Sequence, residues 1–415
     1  MKGDFSRSTF RPEKRYASVR MQQGRVQLDA DWNEQADIQT HLLEKVVRDL
    51  IGPCGGPEAE PAFGIVTGGI GPGDFLLTAG RYYVDGILCE NEAAVAYTTQ
   101  PHRPRVEPLG EGRHLVYLDV WRRDITAVED PEIREVALGG PDTATRLQTV
   151  WQVKALPVGE EAGCRSEVAG WEELVRGGTG RLAARSDGGY RGLENHLYRV
   201  EIHDPGGAGR ATFKWSRDNG SVVFPITGME GNRVGVSGHG REAQKLGVGD
   251  WVEGVDDAYV LAGRAEPLLQ VTEVNDAGLR VTLSSEPAGG VGSDPSLHPF
   301  LRRWDRGGTE GTARGLSGVA AGTWTELEDG VQVRFEPGDL EAPYRTGDYW
   351  QIPARPSTGD VEWPEDDSAA PVGQLPHGIR HHYCRLGIVV SDGRQVELVE
   401  DCRKLFPAAT DRGGP

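Results

Sequence analysis

The sequence has little sulfur and no long apolar run. Of 415 residues, 3 are methionine and 5 are cysteine, and no stretch approaches the roughly 18 apolar residues of a membrane-spanning helix. That excludes a helical span. The opening MKGDFSRSTFRPEKR lacks the apolar core of a signal peptide, so synthesis in the cytoplasm is expected. Cys54, Cys89, Cys164, Cys384 and Cys402 are odd in number and scattered, with no C-x-x-C pair. That pattern fits small buried thiols in a reducing compartment better than a disulfide framework. No P-loop, G-x-S-x-G or H-E-x-x-H sequence occurs, nor does a Rossmann glycine fingerprint after a strand. Positive charge is short as well: the net of -18 argues against a general nucleic-acid binder, whose affinity comes largely from Lys and Arg on phosphates.

Turn formers are abundant, with 58 Gly and 26 Pro, while 37% hydrophobic and 26% charged residues are ordinary for a globular protein. The length suits two or three domains. The expected fold is mainly β: an N-terminal hairpin and one amphipathic helix, then several β-rich modules that include a small β-barrel. Composition shifts divide the chain into an arm, hairpin and helix (1–55), a β-rich module (56–155), a loop or insertion (156–192), a second β-rich module (193–405) and a flexible tail (406–415).

Within QQGRVQLDADWNEQ, Asp29, Asp31 and Asn33 alternate as in the first half of a calcium loop. Such a loop needs Gly at its sixth position and Glu at its twelfth, where this chain has Glu34 and Thr40. A helix start fits better. Asp31 is placed to cap the first amides, with Glu34 three residues later completing a capping box. Ile38, Leu42, Val46 and Leu50 recur every four residues, widened by Leu43 and Val47, until Gly52-Pro53; the pattern predicts an amphipathic helix over about 32–51. YASVRM and RVQL flanking Gln22-Gln23-Gly24 predict a hairpin.

From Phe63 onward, short apolar runs such as RYYVDGILCE, HLVYLDVW and LQTVWQVKAL read as strands. Asp218-Asn219-Gly220 and Asp329-Gly330 are hairpin-turn signals. Four or five β segments crowd into residues 246–284, enough for a small barrel. Gly249-Asp250-Trp251 and Gly347-Asp348-Tyr349-Trp350 both lead into strand-like residues.

Candidate chemistry is sparse. LPHGIRHHYCRLGIVV holds His377, His381, His382 and Cys384, but on a strand His381 and His382 point to opposite faces, leaving only His382 and Cys384 together. A strand entering the core is the default reading, and no metal or other cofactor is expected. Paired carboxylates such as Asp256-Asp257 suggest a glycosidase acid and nucleophile only if their separation allows it. Trp121, Trp151, Trp215, Trp324 and Trp350 would make either a sugar-stacking face or core and interface anchors. Residues 1–25 carry seven basic side chains against two acidic ones, a basic arm on an acidic chain. Phe5, Arg7, Phe10, Arg11 and Arg15 are the expected contacts of that arm with a neighbour's acidic or apolar groove; the alternative is that Phe5 and Phe10 pack on the chain's own helix.

MKGDFSR, YASVRMQQGRVQLDADWNEQ and a helix ending LIGP resemble the N-terminal signature of an uncharacterised family encoded with phage-tail-like contractile injection systems and phage tails. LENHLYRVEIHDPG, ATFKWSRDNGSVVFPI, GDYWQIPAR, LPHGIRHHYCRLGIV and DCRKLFP extend the resemblance over nearly the whole chain. AGRYYVDGILCE and the strands after it are similar to β-rich modules of baseplate and tail-fibre proteins. The resemblance implies a non-enzymatic structural or adaptor part, joined through its N-terminal clip to other tail or baseplate proteins and to copies of itself. A carbohydrate-binding module with a surface glycan as ligand, and a polysaccharide-degrading enzyme, are the competing expectations.

Overall fold

The computed structural model describes residues 2–237, 245–275, 279–305, 315–336 and 343–407. The protein is mainly β. It divides into two compact units, each gathered from separate stretches: Met1–Ser8, Asp124–Leu147 and Gly178–Ile379 form the first, and Thr9–Arg123, Gln148–Gly177 and Arg380–Pro415 the second. Modules expected in linear succession are thus interleaved. The reason is long-range pairing invisible to local pattern: His382–Ser391 lies antiparallel along Gly112–Ile125 from His382↔Val120 to Ser391↔Gly112.

In the first unit, a five-stranded sheet runs in the order Ser317–Gly318, Thr212–Ser216, His196–Ile202, Tyr349–Arg355, Asp360–Val361, and a three-stranded sheet joins Trp324–Glu328, Val331–Glu336 and Arg181–Ser186. The two share a core of Tyr198, Phe213, Trp350, Leu182, Val333 and Phe335 among others. Asp329 (φ 49°) and Gly330 (φ 84°) form the expected hairpin turn, in the left-handed conformation that a two-residue connection requires. Six strands close a barrel in the order Val223–Glu230, Arg233–Val236, Arg280–Leu283, Leu269–Val274, Trp251–Val255, Phe300–Trp304. Val223↔Arg302 to Pro225↔Phe300 seal it, over an interior of Val234, Val252, Val271, Val281 and Leu301. Residues 246–284 supply only three of those strands; the rest lie outside the expected limits because closure needs partners on both flanks.

The second unit holds a sheet ordered Leu405–Phe406, Cys54–Pro57, Gly80–Val84, Ile87–Asn91 and another ordered Val396–Asp401, His382–Ser391, Gly112–Ile125, Arg146–Pro157. Their core includes Phe63, Phe75, Tyr82, Leu118, Trp151 and Cys384. The helix α1 (Asp29–Ile51) precedes the first of these sheets.

Several expectations are corrected. Arg25 N donates to Gln22 O, so the turn at Gly24 forms, but residues 16–28 have no strand ladder on either side of it. Residues 156–192, expected as a loop or insertion, carry regular elements: a second helix, α2 (Ala169–Arg176), and the strand Arg181–Ser186. Asp218-Asn219-Gly220 turns the chain, yet its flanking strands go to different sheets, one to the five-stranded sheet and one to the barrel. Cys164 and Cys402 form a disulfide across 238 residues of sequence, against the expectation of free thiols; Cys54, Cys89 and Cys384 are free. Phe406 is in a strand rather than a tail, and residues 408–415 lie outside the described residues.

Candidate assembly surface

Helix α1 starts earlier than its pattern predicts. Leu28, extended at φ -108°, ψ 147°, is the N-cap and supplies no side-chain hydrogen bond. Asp31 is therefore not the cap but sits in the first turn with Asp29, where a carboxylate favours the positive end of the helix dipole. Glu34 closes no capping box; it accepts from Thr9 Oγ1 at 2.5 Å.

The helix is turned the unusual way round. Along 23 residues only Ala30 and Ile38 are buried. Polar side chains face the unit's own body: Gln35 Oε1 accepts from Val19 N at 2.8 Å, Glu44 pairs with Arg122, and Arg48 approaches Asp85 at 3.5 Å. The Phe10 ring lies 5.6 Å from His41. Gly86 (φ 90°) seats the helix, because a Cβ there would lie 2.2 Å from the Glu44 carbonyl oxygen. Meanwhile Trp32 (80% exposed), Leu43 (64%), Val46 (55%) and Leu50 (81%) face solvent. Trp32, Ala36, Gln39, Leu43, Val46 and Leu50, all exposed, follow the alternating four-and-three spacing of a helix-packing seam. The predicted Ile38-Leu42-Val46-Leu50 stripe does not pack as a unit: the body takes Ile38 and leaves the others out.

The expected arm residues divide between two fates. Arg7 donates to both carboxylate oxygens of Glu362 at 2.9 Å. Phe5 is half-buried, its ring in the space a Cβ on Gly3 would occupy, and Gly3 O accepts from Asn219 Nδ2 at 2.9 Å. Phe5, Arg7 and Phe10 are thus engaged by their own chain. Arg11 and Arg15 are exposed, as are Arg20 and Arg25 of the same basic arm; Arg15, Arg20 and Arg25 form no ion pair among the described residues.

Lys2, one of the seven basic residues of the N-terminal 25, ends in an ionic cluster of the first unit. Glu201 receives Lys2 Nζ at 3.1 Å, Arg199 Nε at 2.6 Å and Lys214 Nζ at 3.5 Å. Glu253 receives Lys214 Nζ at 2.6 Å, Tyr259 Oη at 2.7 Å and Trp304 Nε1 at 2.9 Å. Both lysine ammoniums lie over the Trp304 ring, at 5.6 and 4.6 Å. Burial, with Arg302, Arg199 and Lys214 nearby, outweighs Glu201 and pushes the Lys2 amine down to about 7. Burial alone would raise Glu201, but Lys2, Arg199 and Lys214 hold it well below the usual carboxylate range. Glu253, by the same balance with Lys214 and Lys2, falls to about 2. Every charge here has an opposite at hand, so the cluster locks the N-terminal residues to the strands that carry it.

A single family model covers residues 1–169 and 181–412 of this chain. The chain belongs to the family of unknown function DUF6519. The break between the matched stretches falls on α2 and the residues after it. No curated protein and no solved structure is detectably similar.

In this member of the DUF6519 family, the residues with metal-ligand chemistry serve structural neighbours. His382 Nδ1 lies 2.9 Å from Asp85 Oδ2, and His381 Nδ1 lies 2.7 Å from Asp119 Oδ1. Cys384 is buried, its Sγ 3.8 Å from Tyr82 Oη. Among the described residues, no three His, Cys, Asp or Glu side chains are grouped to hold a metal. The Asp256-Asp257 pair splits: Asp256 caps the short helix α3 (Asp257–Ala262) by accepting from Tyr259 N, and Asp257 meets His298 at 2.8 Å. Trp121, Trp151, Trp215 and Trp350 are core residues, and the Trp324 ring carries the guanidiniums of Arg185 and Arg334 at 4.3 and 4.7 Å. These five tryptophans make no exposed platform.

Proposed function

We propose that this chain is a non-catalytic structural or adaptor component of a phage-tail-like contractile particle, at the baseplate or a fibre attachment, and that it acts by protein–protein assembly. The observation that carries the reading is the inverted helix α1, with polar side chains against its own body and Trp32, Leu43, Val46 and Leu50 in solvent. A surface helix ordinarily buries its apolar stripe and exposes the other; a reversed one is built to be covered by something else. The signature resemblance supplies the kind of particle. Replacing Leu43 and Val46 by Glu tests the reading. Both are already exposed, so folding should be unaffected within about 0.5 kcal/mol, while incorporation into particles should be lost. Full incorporation of the double variant would remove the helix face from the account.

A further inference from the structure

The exposed apolar surface of this protein is concentrated where the assembly reading needs it, and its chemistry points to one occupant. Of 24 exposed large hydrophobic side chains among the described residues, nine lie between Tyr16 and Leu50. They leave on the order of 800 Å² of apolar surface uncovered, about what one partner contributes to a standard interface. That surface has two parts. One is the arm, residues 11–28, almost wholly exposed, with Tyr16, Met21, Val26 and Leu28 interspersed among Arg11, Lys14, Arg15, Arg20 and Arg25 and only Glu13 of opposite sign. Its extended stretches have strand-like sequences but no strand partner among the described residues.

The other part is the α1 face of Trp32, Leu42, Leu43, Val46 and Leu50, of which Leu43 borders a groove of about 670 Å³ beside the helix, entirely within the second unit, lined by Thr40, Leu43 and Val47 of the helix and by Leu88, Glu90 and Glu92 opposite. The far wall belongs to Ile87–Asn91, the edge strand of its sheet, with Leu88 and Glu90 pointing outward. Glu44 at the groove is paired with Arg122; Glu90 and Glu92 are exposed and form no ion pair among the described residues.

We infer that the arm of one copy lies in this groove of a second copy, its apolar side chains on Leu43, Val47 and Leu88 and its arginines on Glu90 and Glu92. The inference rests on the assembly reading and names its partner surface. Charge complementarity selects the occupant: the arm's basic residues meet an acidic rim on a chain whose net charge is -18. The arm's own course selects a second copy: residues 11–28 are almost wholly exposed and none of them lines the groove of their own chain. The arm is tied to the first half of α1 through Val19–Gln35, and it ends at the helix start. An edge strand is also where an extended segment from another chain is commonly received. Exchanged reciprocally, the contact makes a two-fold dimer; repeated head to tail, it makes a ring where the rotation closes and a filament where it does not.

The test uses the full chain. Equal amounts of unlabelled and nitrogen-15-labelled protein are mixed and treated with a carbodiimide, which joins amines to carboxylates directly, and the linked peptides are sequenced by mass spectrometry. Lys14 linked to Glu90 or Glu92 in mixed-isotope pairs is the expected result. Sedimentation equilibrium then compares Arg20→Glu/Arg25→Glu, Glu90→Lys/Glu92→Lys and the combination of all four. Each pair of exposed changes should weaken self-association at least tenfold, and the combination should restore much of it. Association that is indifferent to both pairs and gives no mixed-isotope link would overturn the inference while leaving assembly through another face intact. A chain that stays monomeric at its highest soluble concentration would also overturn it. The assembly reading itself stands or falls separately, on whether the chain travels with particles.

Discussion

Glu201 is the residue on which the first unit's N-terminal lock depends. Glu201→Gln keeps its shape but removes the carboxylate that Lys2, Arg199 and Lys214 share, while Lys214 keeps Glu253. Removing one side of a buried ionic group costs about 3–5 kcal/mol, so the denaturant midpoint should fall with an unchanged slope; a loss below about 1 kcal/mol would contradict the lock. The cluster also sets a pH dependence. Glu253 is lowered from 4.5 to about 2, so its contribution is complete above pH 4.5 and is lost as pH falls towards 2. Glu253→Gln should flatten the acid limb of thermal stability measured between those values. Lys2 is a base lowered from 10.5 to about 7. Its contribution is complete above pH 10.5 and is lost as pH falls through 7, so Lys2→Met should gain relative to the unchanged protein over that descent. None of this was legible beforehand. A lysine next to the first residue reads as solvated, and Arg199, Glu201, Lys214, Glu253 and Arg302 lie on strands whose other residues look like ordinary core.

At the scale of elements, periodicity located α1 to within three residues at its start and at its observed end, Ile51, because a 3.6-residue repeat and a Gly-Pro stop are local features. It did not say which face would be buried. Two apolar stripes run along this helix, and the choice between them was made by Arg122, Asp85, Thr9 and Phe10, whose positions depend on distant pairing. Ile38, on the buried side, should cost about 2–5 kcal/mol when replaced by Ala. Gly86→Ala should destabilise the second unit by pushing α1 away from the hairpin turn that carries it, seen as a lower unfolding temperature. The Asp329-Gly330 hairpin and the strand after Gly347-Asp348 were readable because turn chemistry is local. The Asp218-Gly220 turn misled for the same reason: a turn does not reveal whether its two strands join one sheet.

Across the whole molecule, the mainly β composition carried through, whereas the linear succession of modules did not. Residues 382–406 complete sheets begun by residues 54–125, and no composition shift reports a pairing over that distance. The Cys164–Cys402 bridge joins two segments of the second unit across 238 residues of sequence and was equally hidden, since spacing alone does not pair cysteines. Reducing it, or replacing both cysteines by Ser, should cost about 2–5 kcal/mol, measured as a lower thermal midpoint of the second unit; unchanged unfolding in reductant would contradict a stabilising bridge.

On the proposed function this chain travels as part of a particle. Native-host lysate sedimented through a density gradient, with the fractions analysed by mass spectrometry, decides that. The chain is expected to co-sediment with sheath, tube and baseplate proteins. Finding it only in the light soluble fractions, while intact particles sediment without it, would overturn the assembly role.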